Sequence, residues 1–200
     1  MNFKVQTSGY INCKSSFYTA CDTLNDFNIY EFTKGVNRLY GEIDSGVWAI
    51  SYLISMYQYD TKNCNIFSPT MVQVNGLDCT LSHLCEYSCY LDTIYPLFSS
   101  KKTIRQLVSH AIAHNSNIES TDIIREIFCI DKERFERPIS GVGNERFKCM
   151  AAIGYAYKKE IFCFPWLSTT KYHYYHQNLT NVLQILEDLQ KTIILPLGNP

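Results

Sequence analysis

The chain has 200 residues and sets 18 Lys+Arg against 19 Asp+Glu, a formal net charge of −1 that excludes a nucleic-acid binder driven by basic excess. Hydrophobic residues at 46% and charged residues at 18% exclude a disordered chain, and the length fits one domain. The most apolar stretch, 47–57, is too short to span a bilayer, and MNFKVQTSGYINC at the start lacks the apolar segment of a secretory leader. The nine cysteines are odd in number and sit mostly in apolar runs, which predicts reduced, buried thiols of a cytosolic protein.

In chain order, the pattern predicts a strand over 5–12 and a strand pair over 27–32 and 36–43, broken at Lys34-Gly35. Asp44-Ser45-Gly46 is a turn signal. A helix follows over 47–57, with Val47, Ile50, Leu53, Ile54 and Tyr57 at helical spacing. Asn65-Ile66-Phe67 is a short apolar run, 71–74 alternates, and Asn75-Gly76 is a hairpin turn. A short helix over 80–86 precedes a strand over 88–91. Ser99-Ser100 leads into a helix over 103–113, which Asn115-Ser116-Asn117 breaks. Thr121-Asp122 caps a helix through Phe128, with Glu119 and Asp122 at its positive end. The remainder reads as a loop over 138–143, a helix over 144–158, a buried strand over 161–164, an amphipathic helix over 179–189 and a final strand over 192–197. That alternation is α/β with parallel strands.

Several constellations invite chemistry. A phosphate loop needs backbone N–H groups at a helix start and the pattern G-x-x-x-x-G-K-S/T. The segment GEIDSGVWAIS from Gly41 to Ser51 has one Gly in its turn, no Lys, and no hydroxyl after it. Alone it reads as an ordinary strand-to-helix turn, and Ile139-Ser140-Gly141-Val142-Gly143 alone reads as a helix cap. Cys79, His83, Cys85 and Cys89 lack the paired spacing of a zinc knuckle. His110 and His114 lack an intervening Glu, and His173 and His176 fall in an aromatic run that reads as an exposed loop.

Taken in order, these segments resemble the nucleotide-binding domain of ATP-binding-cassette (ABC) transporters. FTKGVNRLYGEIDSGVWAISYL is similar to its strand, phosphate loop and first helix, and MVQVNGLD to its short hairpin. SCYLDTIYPLFSSKKTIRQL resembles the Q-loop stretch, ISGVGNERFKCMAAIGYAY the L-S-G-G-Q signature with its helix, EIFCFPWLSTT the Walker B region, and QKTIILPLGNP the strand before the switch histidine. The resemblance implies a P-loop NTPase-like, mostly parallel sheet flanked by helices. An N-terminal antiparallel β part and a small helical subdomain near 93–145 would belong to a single domain over 1–200.

The departures fall on the chemistry. Trp48 stands at the phosphate-loop Lys, and Ala49 and Ile50 at the Mg²⁺-binding hydroxyl and its neighbour. Asp92 falls near the Q-loop Gln, Pro165 and Trp166 replace the Walker B Asp and catalytic Glu, and Gly198 replaces the switch His. In the signature Ser140 and Gly141 remain, while Val142 and Gly143 replace a Gly and the Gln. Phosphoryl transfer is nearly all positioning and charge stabilisation, so losing Lys, metal ligands and base together implies a chain that does not hydrolyse ATP.

By resemblance, Ser45, Gly46, Val47, Trp48, Ala49 and Ile50 form a vestigial phosphate loop, and Ser140, Gly141 and Gly143 a vestigial signature loop. No catalytic residue, metal ligand or cofactor is then expected; ATP with Mg²⁺ is what intact motifs would take. The implied partners are another cassette, as homo- or heterodimer, and a separate membrane-spanning subunit, with no nucleic acid. The chain would be cytoplasmic, or peripheral at the inner face of the cell membrane. Two alternatives stay open: a soluble regulatory pseudoenzyme without a transporter, and a weak ATPase using Lys62, Lys101 or Asp92.

Overall fold

The computed structural model describes residues 1–25, 27–67, 70–98, 101–113 and 120–199. The expectations for Ser99-Ser100, His114, Asn115-Ser116-Asn117 and Glu119 lie outside the described residues.

A four-stranded parallel sheet carries the second half of the chain. Its order is β5 (Gly35–Tyr40), β11 (Thr192–Leu197), β10 (Ile161–Cys163) and β9 (Ser88–Tyr90). All residues of β9, β10 and β11 are buried, as unbroken apolar runs covered on both faces must be. Helix α1 (Val47–Met56) lies on one face and is buried from Trp48 to Met56. It is apolar all round because β2 (Gly9–Lys14) and β3 (Thr19–Leu24) cover its outer side. Its two serines are satisfied internally: Ser51 Oγ donates to the Phe164 carbonyl at 2.8 Å and Ser55 Oγ to the Ser51 carbonyl at 2.8 Å.

The opposite face takes α6 (Arg146–Ala156) and α7 (Thr169–Asp188). Gly154 is the point of closest approach of α6, since a Cβ there would lie 2.9 Å from Cys89 Sγ and 3.0 Å from Phe162 Cε1. Between β9 and α6 run α3 (Ile104–Ala113), α4 (Thr121–Ile127) and α5 (Lys132–Phe135). Short α2 (Leu81–Glu86) is capped by Thr80, whose hydroxyl accepts from His83 N.

Two antiparallel sheets hold the other strands. One runs β4 (Ile29–Phe32), β1 (Phe3–Gln6), β7 (Met71–Val74), β8 (Leu77–Cys79); the other runs β3, β2, β6 (Cys64–Ile66). The Asn75-Gly76 hairpin joins β7 to β8, with φ of 50° and 82° as a two-residue primed turn demands.

Several sequence expectations need correction. The strand over 5–12 is two strands in different sheets, parted at Thr7, whose buried hydroxyl bonds Thr70 Oγ1 at 2.8 Å. The strand pair over 27–32 and 36–43 does not exist. Gly35, at φ 88°, lets the chain leave β4 in an antiparallel sheet and enter β5 in the parallel one. The cap of α4 is Ser120, not Thr121-Asp122. Two 3₁₀ turns, Ile139–Gly141 and Gly143–Glu145, stand where the loop and the start of the helix over 144–158 were expected. The segment with His173 and His176 is no loop: Ser168 caps α7, which starts ten residues before the expected 179 and buries Leu179, Val182, Leu183 and Leu186.

Burial pushes the thiols of Cys13, Cys64, Cys89 and Cys149 from 9.0 up to about 12. A raised folded value means the unfolded chain loses these protons first. Their contribution to stability is therefore whole below pH 9 and is lost as pH rises towards about 12. The melting temperature is expected to fall steeply across that window; a flat profile there would contradict these burials. Below it, a thiol reagent is expected to label exposed Cys21 and Cys129 first.

Candidate functional site

In an open parallel sheet, ligands bind beyond the carboxyl ends of the strands. Here four connections meet at that edge: 41–46 after β5, Gly198 after β11, 164–166 after β10, and Leu91-Asp92 after β9. The structure thus brings Ser45–Ile50, Asp92, Pro165, Trp166 and Gly198 to one edge.

The loop 41–46 folds on itself. Gly41 N donates to the Leu197 carbonyl at 2.9 Å, while Ser45 donates to the Glu42 carbonyl through N at 3.0 Å and through Oγ at 2.6 Å. A Cβ on Gly41 would sit 2.1 Å from Ser45 Oγ, so the loop packs its own serine against Gly41. Gly46, at φ 78°, turns the chain into α1 with no side-chain cap. Trp48 is fully buried and its Nε1 donates to the Ile43 carbonyl at 2.6 Å. Trp166 Nε1 donates to the Gly41 carbonyl at 2.9 Å. Two indoles therefore hold carbonyls of a loop whose phosphate-binding counterpart presents N–H groups.

Charge opposes a phosphate as well. Asp22 Oδ2, buried and without a hydrogen-bond partner, lies 3.7 Å from where a Gly46 Cβ would stand. A carboxylate thus lies beside the residue that precedes α1, close to the positive end of that helix. Ala49 and Ile50 are buried and offer no side-chain oxygen to a cation. A side chain at Gly198 would begin 3.2 Å from Thr169 N, against the first turn of α7. These residues do not fit Mg²⁺-ATP.

The turn 15–18 between β2 and β3 lies across the same edge, and nothing in the sequence reading points to it. Asp92 anchors it. This fully buried carboxylate accepts from Ser15 Oγ, from Ser16 N at 3.0 Å, and from Thr93 Oγ1 and Ile94 N at 3.3 Å each. Phe17 is clamped between cations and rings. The Arg146 guanidinium lies 4.1 Å from its centroid, Phe147 stacks at 5.6 Å, and Lys171 Nζ donates to its carbonyl at 2.5 Å. Tyr18 points inward, edge-on to Trp48 at 5.8 Å and to Trp166 at 6.1 Å, with its hydroxyl 3.1 Å from that of Tyr90. Burial holds the Tyr18 and Tyr90 hydroxyls well above their ordinary value, so both stay neutral. The only sequence signal was two serines followed by two aromatics.

Ser140, Gly141 and Gly143 precede α6, whose Arg146 packs on Phe17 of the turn 15–18. They are exposed, and Gly141 and Gly143 line an open cavity of about 540 Å³ with Arg134, Arg137, buried Val142 and Asn178. Of Cys79, His83, Cys85 and Cys89, Cys85 is buried and its thiol donates to the Ser55 carbonyl at 3.2 Å.

No protein-family model matches the chain, and no curated protein matches it. Among solved structures it is similar to an ABC transporter ATP-binding protein from Pyrococcus furiosus, at 11% identity over 100% of this chain and 92% of that one, with a TM-score of 0.61. Such a likeness speaks for the fold. The chain has an ABC ATPase-like fold, a P-loop NTPase-like parallel sheet with antiparallel sheets and flanking helices.

Proposed function

We propose that this chain is a cassette-like pseudo-ATPase, its own nucleotide site sealed, that acts through partner chains. The observation that carries the reading is the pair of indole N–H groups bonded to the Ile43 and Gly41 carbonyls of the loop 41–46. Phosphoryl transfer needs a cation, a base and donors around the phosphates. Trp48, Ala49, Ile50, Pro165, Trp166 and Gly198 supply no cation and no base from their side chains, and the two indole donors are already spent on loop carbonyls. The weak-ATPase alternative is disfavoured because both oxygens of Asp92 are engaged by the turn 15–18.

Two surfaces support a role through partners. A groove of about 200 Å³ lined by Tyr59, Asp60, Ile94 and Pro96 lies in the Q-loop stretch and would seat a helix of a membrane subunit. The open cavity at Gly141 and Gly143, with Arg134 and Arg137, would meet phosphates held by a partner cassette, the 93–145 segment serving as helical subdomain. No described helix is long and apolar enough to cross a membrane. By the resemblance, a separate membrane-spanning subunit would carry any transport, and we place this chain in the cytoplasm or at the inner membrane face.

The test is phosphate release from ATP by the purified chain with Mg²⁺. The expected rate equals the buffer blank. A clear Mg²⁺-dependent rate, abolished by heat denaturation of the chain, would overturn the proposal.

A further inference from the structure

We propose that the open edge of the parallel sheet takes an added strand: an extended peptide of a partner protein, bearing an acidic residue and, two positions away, an aromatic one. Among the described residues β5 pairs with β11 alone and ends the sheet. Gly35 N and Gly41 N donate to β11 and its flank, at the Lys191 and Leu197 carbonyls. By alternation, residues 36, 38 and 40 turn their backbone groups outward. The Glu187 carboxylate accepts from Val36 N at 3.3 Å, closing the near end. The stretch Arg38 to Tyr40 remains, without a proline or a bulge to protect it.

Side chains on that stretch define the guest. Arg38 is exposed, and among the described residues its side chain has no ion pair or hydrogen bond. Tyr40 is 54% exposed and borders an apolar cavity of about 150 Å³, walled also by Leu167, Tyr172, His173, Leu197 and Gly198. A cavity of that order holds one aromatic ring. Arg38 and Tyr40 are two apart on one strand and share a face, so an added strand presents two residues of the same spacing to them. Charge complementarity sets an acid against Arg38, and the cavity sets a ring beside Tyr40. A second copy pairing symmetrically about Arg38 would instead place guanidinium opposite guanidinium. The proposal concerns the outer edge of β5 and is independent of whether the loop 41–46 binds nucleotide.

The test is fluorescence anisotropy on the intact chain. The probes are short, end-blocked, fluorescein-labelled Val/Thr peptides carrying Glu and Phe two positions apart, in both orders. One order is expected to bind saturably. Replacing the peptide's Phe with Ala should weaken it about tenfold or more. Arg38→Glu, a surface change checked by circular dichroism, should weaken it about fivefold and favour the peptide carrying Lys in place of Glu. N-methylation of alternate peptide amides should abolish binding, because the ladder is lost. The proposal is overturned if neither order binds, if Arg38→Glu leaves affinity unchanged, or if N-methylated peptide binds equally well. In the first case Arg38 is simply a charge that keeps the edge from aggregating.

Discussion

Trp48→Ala is expected to lower the unfolding free energy by about 3–5 kcal/mol, read as a lower urea midpoint at unchanged slope. The side chain is fully buried, with Tyr18 at 5.8 Å and Tyr52 at 6.4 Å set edge-on to it. Truncation leaves a cavity at the base of α1 and strips the Ile43 carbonyl of its indole donor. Trp48→Phe keeps most of the volume and loses only that bond, so it should cost about 1–2 kcal/mol. Neither variant should hydrolyse ATP, because the missing cation and base are not restored. A cost below about 1 kcal/mol for Trp48→Ala would mean that the indole is not part of the core.

Asp92→Ala is the second large effect, with an expected cost of about 3 kcal/mol. The carboxylate is the acceptor for Ser15 Oγ and for the Ser16 and Ile94 amides, and all lose it together. The turn 15–18 is then held only by Phe17 and Tyr18. Chymotrypsin is expected to cut after these residues in Asp92→Ala under conditions that leave the parent chain intact. Asp92→Asn should behave similarly, since its amide puts donors where donors already point. Cleavage no faster in either variant would show that the aromatic contacts alone fix the turn.

The parallel half of the fold was legible because burial on both faces writes itself into composition. The apolar runs at 161–164 and 192–197 read as a buried strand and a final strand, and both are interior strands of the parallel sheet. Asn75-Gly76 was legible because its backbone needs positive φ at two successive residues. The antiparallel half was not legible. An alternating strand does not say which sheet it joins, so the break at Thr7 and the parting of β4 from β5 left no local mark. The start of α7 was missed because tyrosine and histidine favour no single state, and the packing that decides comes from Phe17 and Arg146, far away in sequence.

At the site, the resemblance to cassettes picked out positions 48, 92, 165, 166 and 198, and the sheet order gathers them. It gave no hint of where two indole N–H groups would go, or that a turn about 76 positions from Asp92 would use its carboxylate. Those are tertiary hydrogen bonds with no sequence period.

The most direct test of the sealed site is titration calorimetry of ATP and ADP into the purified chain, with and without Mg²⁺. The account predicts no binding heat, and tryptophan fluorescence indifferent to nucleotide. Saturable, Mg²⁺-dependent binding at micromolar nucleotide, with a change in that fluorescence, would contradict it.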